Sequence, residues 1–132
     1  MLSERRLLVP LGGSDQPERV MRAVCELADE DATLFAAVVI EVSPLLPLDA
    51  ELAEEEARAR LLLVRARAAA EALGVYCVPR IVRARRASAA LLVLAAEEDA
   101  EIVLVGSGGH HLRRSERQLL RKAPDRVLLL AA

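Results

Sequence analysis

Gly106, Gly108 and Gly109, with Ser107 among them, follow an apolar run late in the chain. Small residues at a strand end let backbone N–H groups approach an anion closely. Two arginine clusters add positive charge: the RARR segment at residues 83–86, and Arg113 with Arg114 just beyond the glycines. Guanidinium groups pair with phosphate through parallel hydrogen bonds, so this set suggests phosphate recognition rather than bond making. A plain turn would explain the glycines as well, and solvated loop arginines would explain the clusters. The residues give no sharper chemistry. Ser14, Ser107 and Ser115 lack a His/Asp relay, so no hydrolase triad is assigned. His110 and His111 are neighbours that diverge on a strand or a helix, and no Cys or acidic partner stands at metal-ligand spacing. Cys25 and Cys77 read as small core hydrophobes. The glycines lack the Gly-Lys-[Ser/Thr] ending of a P-loop and the G-x-G-x-x-G order of a dinucleotide fold.

The elements that must position these residues follow from hydrophobic patterning. Residues 6–11 form a short apolar run closed by Gly12 and Gly13, as expected of a strand buried on both faces. A helix follows, with Asp15 as its cap, Pro17 in its first turn, Glu18 completing a capping box, and Val20, Ala23, Val24, Leu27 and Ala28 on one face. Residues 33–42 form a second strand, broken by Pro44 and Pro47. Residues 49–73 form the long helix, acidic at its start and basic later, with Glu54/Arg58 and Glu56/Arg60 at pairing distance and Gly74 as its stop. Residues 75–82 form a third strand, which Pro79 sends to a sheet edge. Residues 86–99 form a third helix with Leu91, Leu94 and Ala95 inward, and residues 101–105 a fourth strand. A short polar helix over 115–122 precedes Pro124, and residues 126–130 form a fifth strand. Strict alternation of strand and helix predicts one α/β domain over residues 1–132: a parallel sheet with helices on both faces. In such sheets ligands bind beyond the carboxyl ends of the strands, where the strand order reverses.

Composition narrows the function classes. Aromatics are only 2% of the chain against 54% hydrophobic residues, so the core is aliphatic and no platform exists for stacking bases. Twenty acidic and 18 basic residues leave a net charge of −2, with no overall field for polyanions or anionic membranes. Nucleic-acid binding and membrane insertion are therefore not expected. The polar residues 1–6, the lack of a long apolar run and the two isolated cysteines read as a cytoplasmic protein with reduced thiols.

Three segments in order, LLVPLGGS at 7–14, AEIVLVG at 100–106, and LLRKAP at 119–124 running into VLLL at 127–130, resemble universal stress proteins across nearly the whole chain. The resemblance implies a three-layer α/β/α fold of the adenine nucleotide alpha hydrolase-like kind. It also implies a five-stranded sheet of order 3-2-1-4-5 and a homodimer formed through the last strand. It places nucleotide contacts at Pro10, Leu11, Gly12, Val105, Gly106, Ser107 and Gly109; Arg85 and Arg114, from the two arginine clusters and not from the family pattern, are phosphate candidates beside them. ATP or AMP, with magnesium, is the ligand it admits. This chain departs from the ATP-binding pattern G-x-x-G-x(9)-G-[S/T]: nine residues beyond Gly109 stand Leu119 and Leu120. Aligned on Pro124, the loop is about six residues short. The Asp that such members carry after the first strand is Gly12 here, which removes a carboxylate able to hold a nucleoside hydroxyl or amino group. Each lost charge-assisted hydrogen bond costs roughly 1.5–3 kcal/mol. Two readings remain: a homodimeric regulatory or binding module with weak or absent ATP binding and no cofactor required, or an ATP/AMP-binding protein with slow hydrolysis whose arginines compensate for the short loop. Whether the chain is an enzyme, and whether a further protein partner exists, stays open.

Overall fold

A computed structural model describes residues 4–13, 15–106 and 127–130, with side chains through Leu104. The elements are β1 (Arg6–Pro10), α1 (Pro17–Leu27), β2 (Thr33–Glu41), α2 (Ala53–Ala72), β3 (Tyr76–Ala84), α3 (Ala87–Glu97), β4 (Ile102–Gly106) and β5 (Val127–Leu130). All strand pairs are parallel, in the order β3-β2-β1-β4-β5. The order implied by the resemblance is thus the order observed, and β3, with Pro79, lies at an edge. The expected helix over 115–122 lies outside the described residues.

Period-two alternation divides the core between the two faces of the sheet. Leu7 and Val9 of β1 and Leu11 just after it join Val20, Met21 and Val24 of α1 and Leu62, Leu63 and Ala66 of α2. Leu8 points the other way, into a smaller cluster with Phe35, Leu91, Leu94 and Val103. Charged groups tie the layers together at their margins. Arg65 of α2 grips Glu18 of α1 with two hydrogen bonds of 2.7 and 2.6 Å, and these hold the Glu18 carboxyl below its ordinary pKa. On the other face the Arg6 guanidinium lies 4.8 Å from the Phe35 ring centre and donates through Nε to the Glu98 carbonyl at 2.6 Å.

Several boundaries differ from the sequence reading for identifiable reasons. Glu18 is drawn to Arg65, so no capping box forms, and Gln16 rather than Asp15 is the N-cap of α1. The long helix begins at Ala53 instead of residue 49, because the carbonyls of Leu48 and Ala50 just before it are held by Arg83 of β3. Glu56/Arg60 pairs at 3.5 Å, but the expected Glu54/Arg58 pair is absent among the described residues. β3 runs on to Ala84, two residues further than expected, since β2 supplies partners as far as Glu41.

Two helices end in the same hydrogen-bond pattern with different residues at its centre. After α2, Gly74 adopts φ 79°, and Val75 N–H reaches the Ala70 carbonyl at 3.0 Å. After α3, Asp99 takes the equivalent left-handed position at φ 52°, and Ala100 N–H reaches the Ala95 carbonyl at 2.8 Å. Left-handed geometry costs a side-chain-bearing residue energy that glycine does not incur. Asp99→Gly should therefore stabilise the fold by about 0.5–1 kcal/mol, read as a rise in the thermal or urea midpoint.

Candidate functional site

Strand order reverses at β1: β2 lies on one side and β4 on the other. Odd-numbered residues of β1 hydrogen-bond towards β2, as Leu11 N–H does to Ala37 O at 2.8 Å, while Arg6 O accepts from Glu101 N–H on the β4 side at 2.8 Å. Pro10 falls in the even set, and having no N–H it cannot extend the ladder towards β4. The β1–β4 register accordingly ends at Leu8↔Val103, whereas the β1–β2 register continues to Pro10↔Ala37. Proline thus releases the carboxyl ends of β1 and β4 from each other. This is where a parallel sheet of this order takes a ligand.

The predicted residues fall around this point as follows. Pro10 ends β1, Leu11 is buried at 4% exposure, and Gly12 is half-buried just beyond. Val105 and Gly106 are the last residues of β4, with backbone partners Leu129 and Leu130 on β5. Gly106 is therefore a strand residue rather than the first residue of the loop. Ser107, Gly109 and Arg114 lie outside the described residues.

Two backbone donors at the end of β1 already have partners. Leu11 N–H is in the sheet ladder, and Gly12 N–H donates to the Asp15 carboxylate at 2.6 Å. Asp15 N–H returns a bond to Gly12 O at 3.0 Å, closing the turn. One strand over, Glu41 at the end of β2 accepts from Ala87 N–H at 2.9 Å, which places a carboxylate on the first turn of α3. Asp15 and Glu41 each supply internally the negative charge that a helix start or glycine turn would otherwise accept from a ligand. Sequence reasoning does not single out Glu41. Its signal there is a single acidic residue closing an otherwise apolar strand.

The arginines of the 83–86 segment are likewise engaged. Arg85 Nη1 donates to the carbonyls of Ser43 at 2.5 Å and Leu46 at 2.8 Å, with Val42 O at 3.4 Å. Arg83 holds the Glu56 carboxylate through Nε and Nη2, at 3.1 and 2.8 Å, and the Ala50 carbonyl through Nη1 at 2.5 Å. Together they pin loop 43–50. Arg86 is the N-cap of α3, with its side chain exposed.

Neither thiol is placed for chemistry. Burial pushes the Cys77 thiol up to about 11, and it raises that of Cys25 as well. Among the described residues no group of three or more His, Cys, Asp or Glu is gathered for a metal, and no helix is long and apolar enough to cross a membrane.

The description "Universal stress protein family" belongs to the family model that matches residues 4–131. Among solved structures, a universal stress protein family member from Burkholderia pseudomallei is 25% identical. Its TM-score is 0.76, and the match covers 98% of this chain and 97% of that one. A universal stress protein in complex with cAMP is 23% identical, with TM-score 0.71 and 96% of each chain covered. The Archaeoglobus fulgidus universal stress protein in complex with dAMP is 18% identical, with TM-score 0.76, covering 97% of this chain and 98% of that one. No curated protein sequence matches the chain.

Two outcomes follow from the site. Arg83→Ala should cost about 1.5–3 kcal/mol, because it leaves the Ala50 carbonyl without its donor and Glu56 with only the longer contact to Arg60. Limited proteolysis should then cut within 43–50, where the unaltered protein resists. Because the folded Cys77 pKa is raised, its contribution to stability is complete below the ordinary thiol value near 9 and is lost as pH rises towards 11. The fall in urea midpoint between pH 9 and 11 should be shallower in Cys77→Val than in the unaltered protein.

Proposed function

The chain belongs to the universal stress protein family, and we propose that it acts as a homodimeric regulatory or binding module of that family, with weak or absent affinity for adenine nucleotides. The observation that carries this reading is the pair of carboxylates already seated on backbone donors: Asp15 on Gly12 N–H and Glu41 on Ala87 N–H. A phosphate arriving at either point must displace a charge-assisted hydrogen bond of roughly 1.5–3 kcal/mol. If the displaced carboxylate stays near, like charges about 4 Å apart repel by roughly 1–4 kcal/mol across the range from water to a protein surface. One backbone hydrogen bond to phosphate does not offset both. The residues described at the strand ends therefore do not fit a triphosphate well. The absent Gly-Ser pair after Gln118 points the same way, as Leu119 and Leu120 stand in its place.

A second reading rests on the relatives solved with cAMP and dAMP. On that reading a mononucleotide sits over Pro10, Leu11 and Gly12 against Val105 and Gly106, with Ser107, Gly109, Arg85 and Arg114 towards its phosphate. Magnesium and ATP belong to this alternative, as does slow hydrolysis. For the module itself no cofactor is required. Pairing through β5 suits either reading, since a short, wholly apolar end strand at a sheet margin is best covered by another copy. We place the protein in the cytoplasm as one domain over residues 1–132.

Calorimetric titration with ATP, ADP and AMP in magnesium distinguishes the readings. Dissociation constants weaker than about 100 μM, equivalent to roughly 5.5 kcal/mol of binding, are expected for all three. Low-micromolar binding of any of them would overturn the first reading in favour of the second.

A further inference from the structure

At the edge of the sheet opposite β5, α3 leaves β3 partly uncovered. A groove of about 500 Å³ opens between them, lined on one side by Val82 and Ala84 and on the other by Ala89, Ala90 and Val93. Arginines 83, 85 and 86 stand along it, and Glu97 closes its far end. The lining is apolar and built of small residues, and Val93 is 58% exposed although it is a large hydrophobe. The polar reach of Arg83 is spent on Glu56 and the carbonyls of loop 43–50. A polar small molecule would find few unpaired donors here. An apolar side chain would find a fitted surface with positive charge at one end, from Arg86.

The chain carries an exposed apolar loop beside this groove. Loop 43–50 is fixed by the same arginines that line the groove, and it presents Leu45 at 92% exposure, with Leu46 and Leu48 at 42% and 45%. A mobile loop would hide such side chains by collapsing, but Pro44, Pro47 and the guanidinium clamps hold this one open. Just after it come Asp49, Glu51, Glu54 and Glu55, all exposed and without an ion-pair partner among the described residues. An apolar knob with an acidic flank therefore lies next to an apolar groove with a basic rim. Apolar sites with opposite charge on one chain allow two copies to exchange them about a two-fold axis, each knob entering the other's groove.

We propose that the β3/α3 groove receives loop 43–50 of a second copy of this chain, with Leu45 against Val93 and the acidic start of α2 facing Arg86. This contact is separate from β5 pairing, which uses the other margin of the sheet. It joins β5-linked pairs into larger assemblies.

The test uses two differently sized forms of the full chain, one carrying Leu45→Cys and the other Val93→Cys, mixed under mild oxidation with oxidised glutathione. Both positions are exposed, so neither change threatens the fold. A mixed disulfide-linked dimer is expected at a yield on the order of tenfold above that of Leu45→Cys mixed with Leu61→Cys, an exposed position on α2. Arg86→Glu on the groove-bearing form should lower the yield, and Glu54→Lys with Glu55→Lys on the loop-bearing form should restore it. A yield no greater than the Leu61→Cys control overturns the proposal, as does one indifferent to the charge exchange. β5 pairing is read separately, as a dimer by light scattering that persists in Val93→Asp; its absence counts against the homodimer reading and leaves the groove contact to the cross-linking result.

Discussion

A parallel sheet covered on both faces leaves its strand ends as the main places where backbone donors and acceptors still need partners. In this chain charged side chains supply them along the carboxyl edge of β1, β2 and β3. Asp15 takes Gly12 N–H, Glu41 takes Ala87 N–H, and Arg83 and Arg85 take carbonyls from loop 43–50. Most of what is distinctive about the protein depends on this arrangement. It sets where α2 begins, holds the leucines of the loop outward, and puts negative charge on the N–H groups of a glycine turn and a helix start.

The carboxylates and the guanidinium groups solve opposite halves of one problem. A helix start and a glycine turn present donors, so acidic side chains satisfy them; a proline-broken loop presents carbonyls, so arginines do. Had the arginines instead faced a phosphate, the carbonyls of residues 42–50 would have needed water, and the loop would have lost its fixed form. Phosphate recognition by Arg83 or Arg85 and a rigid loop therefore compete for the same donors. In this structure the loop has them.

The fold was legible in the sequence because its signals are local and repeated. Apolar runs alternate with amphipathic helices, Gly74 stops α2, and Pro79 marks an edge strand, as β3 proves to be. Residues whose roles depend on distant partners were not legible. Glu18 looked like part of a capping box, yet its partner is Arg65, 47 residues away, and nothing in its neighbourhood indicates that. Asp15 looked like a helix cap because it precedes Pro17, but the N–H it satisfies belongs to the turn behind it. The RARR segment read as free positive charge because its carbonyl partners lie some 40 residues earlier in the chain.

Pro10 shows how a single backbone constraint links fold to site. In a central strand proline is normally excluded, since it removes a ladder hydrogen bond. Here the lost bond is the one that would have carried β1 further along β4, and losing it opens the sheet at the point where strand order reverses. The opening belongs to the backbone, because Pro10 lacks an N–H whatever side chains surround it. Side chains then determine its chemistry, and here a carboxylate three residues beyond Gly12 already takes the Gly12 N–H. The crevice and its ligand preference are thus separable. A chain of this fold can keep the first while changing the second through a few side chains at the strand ends.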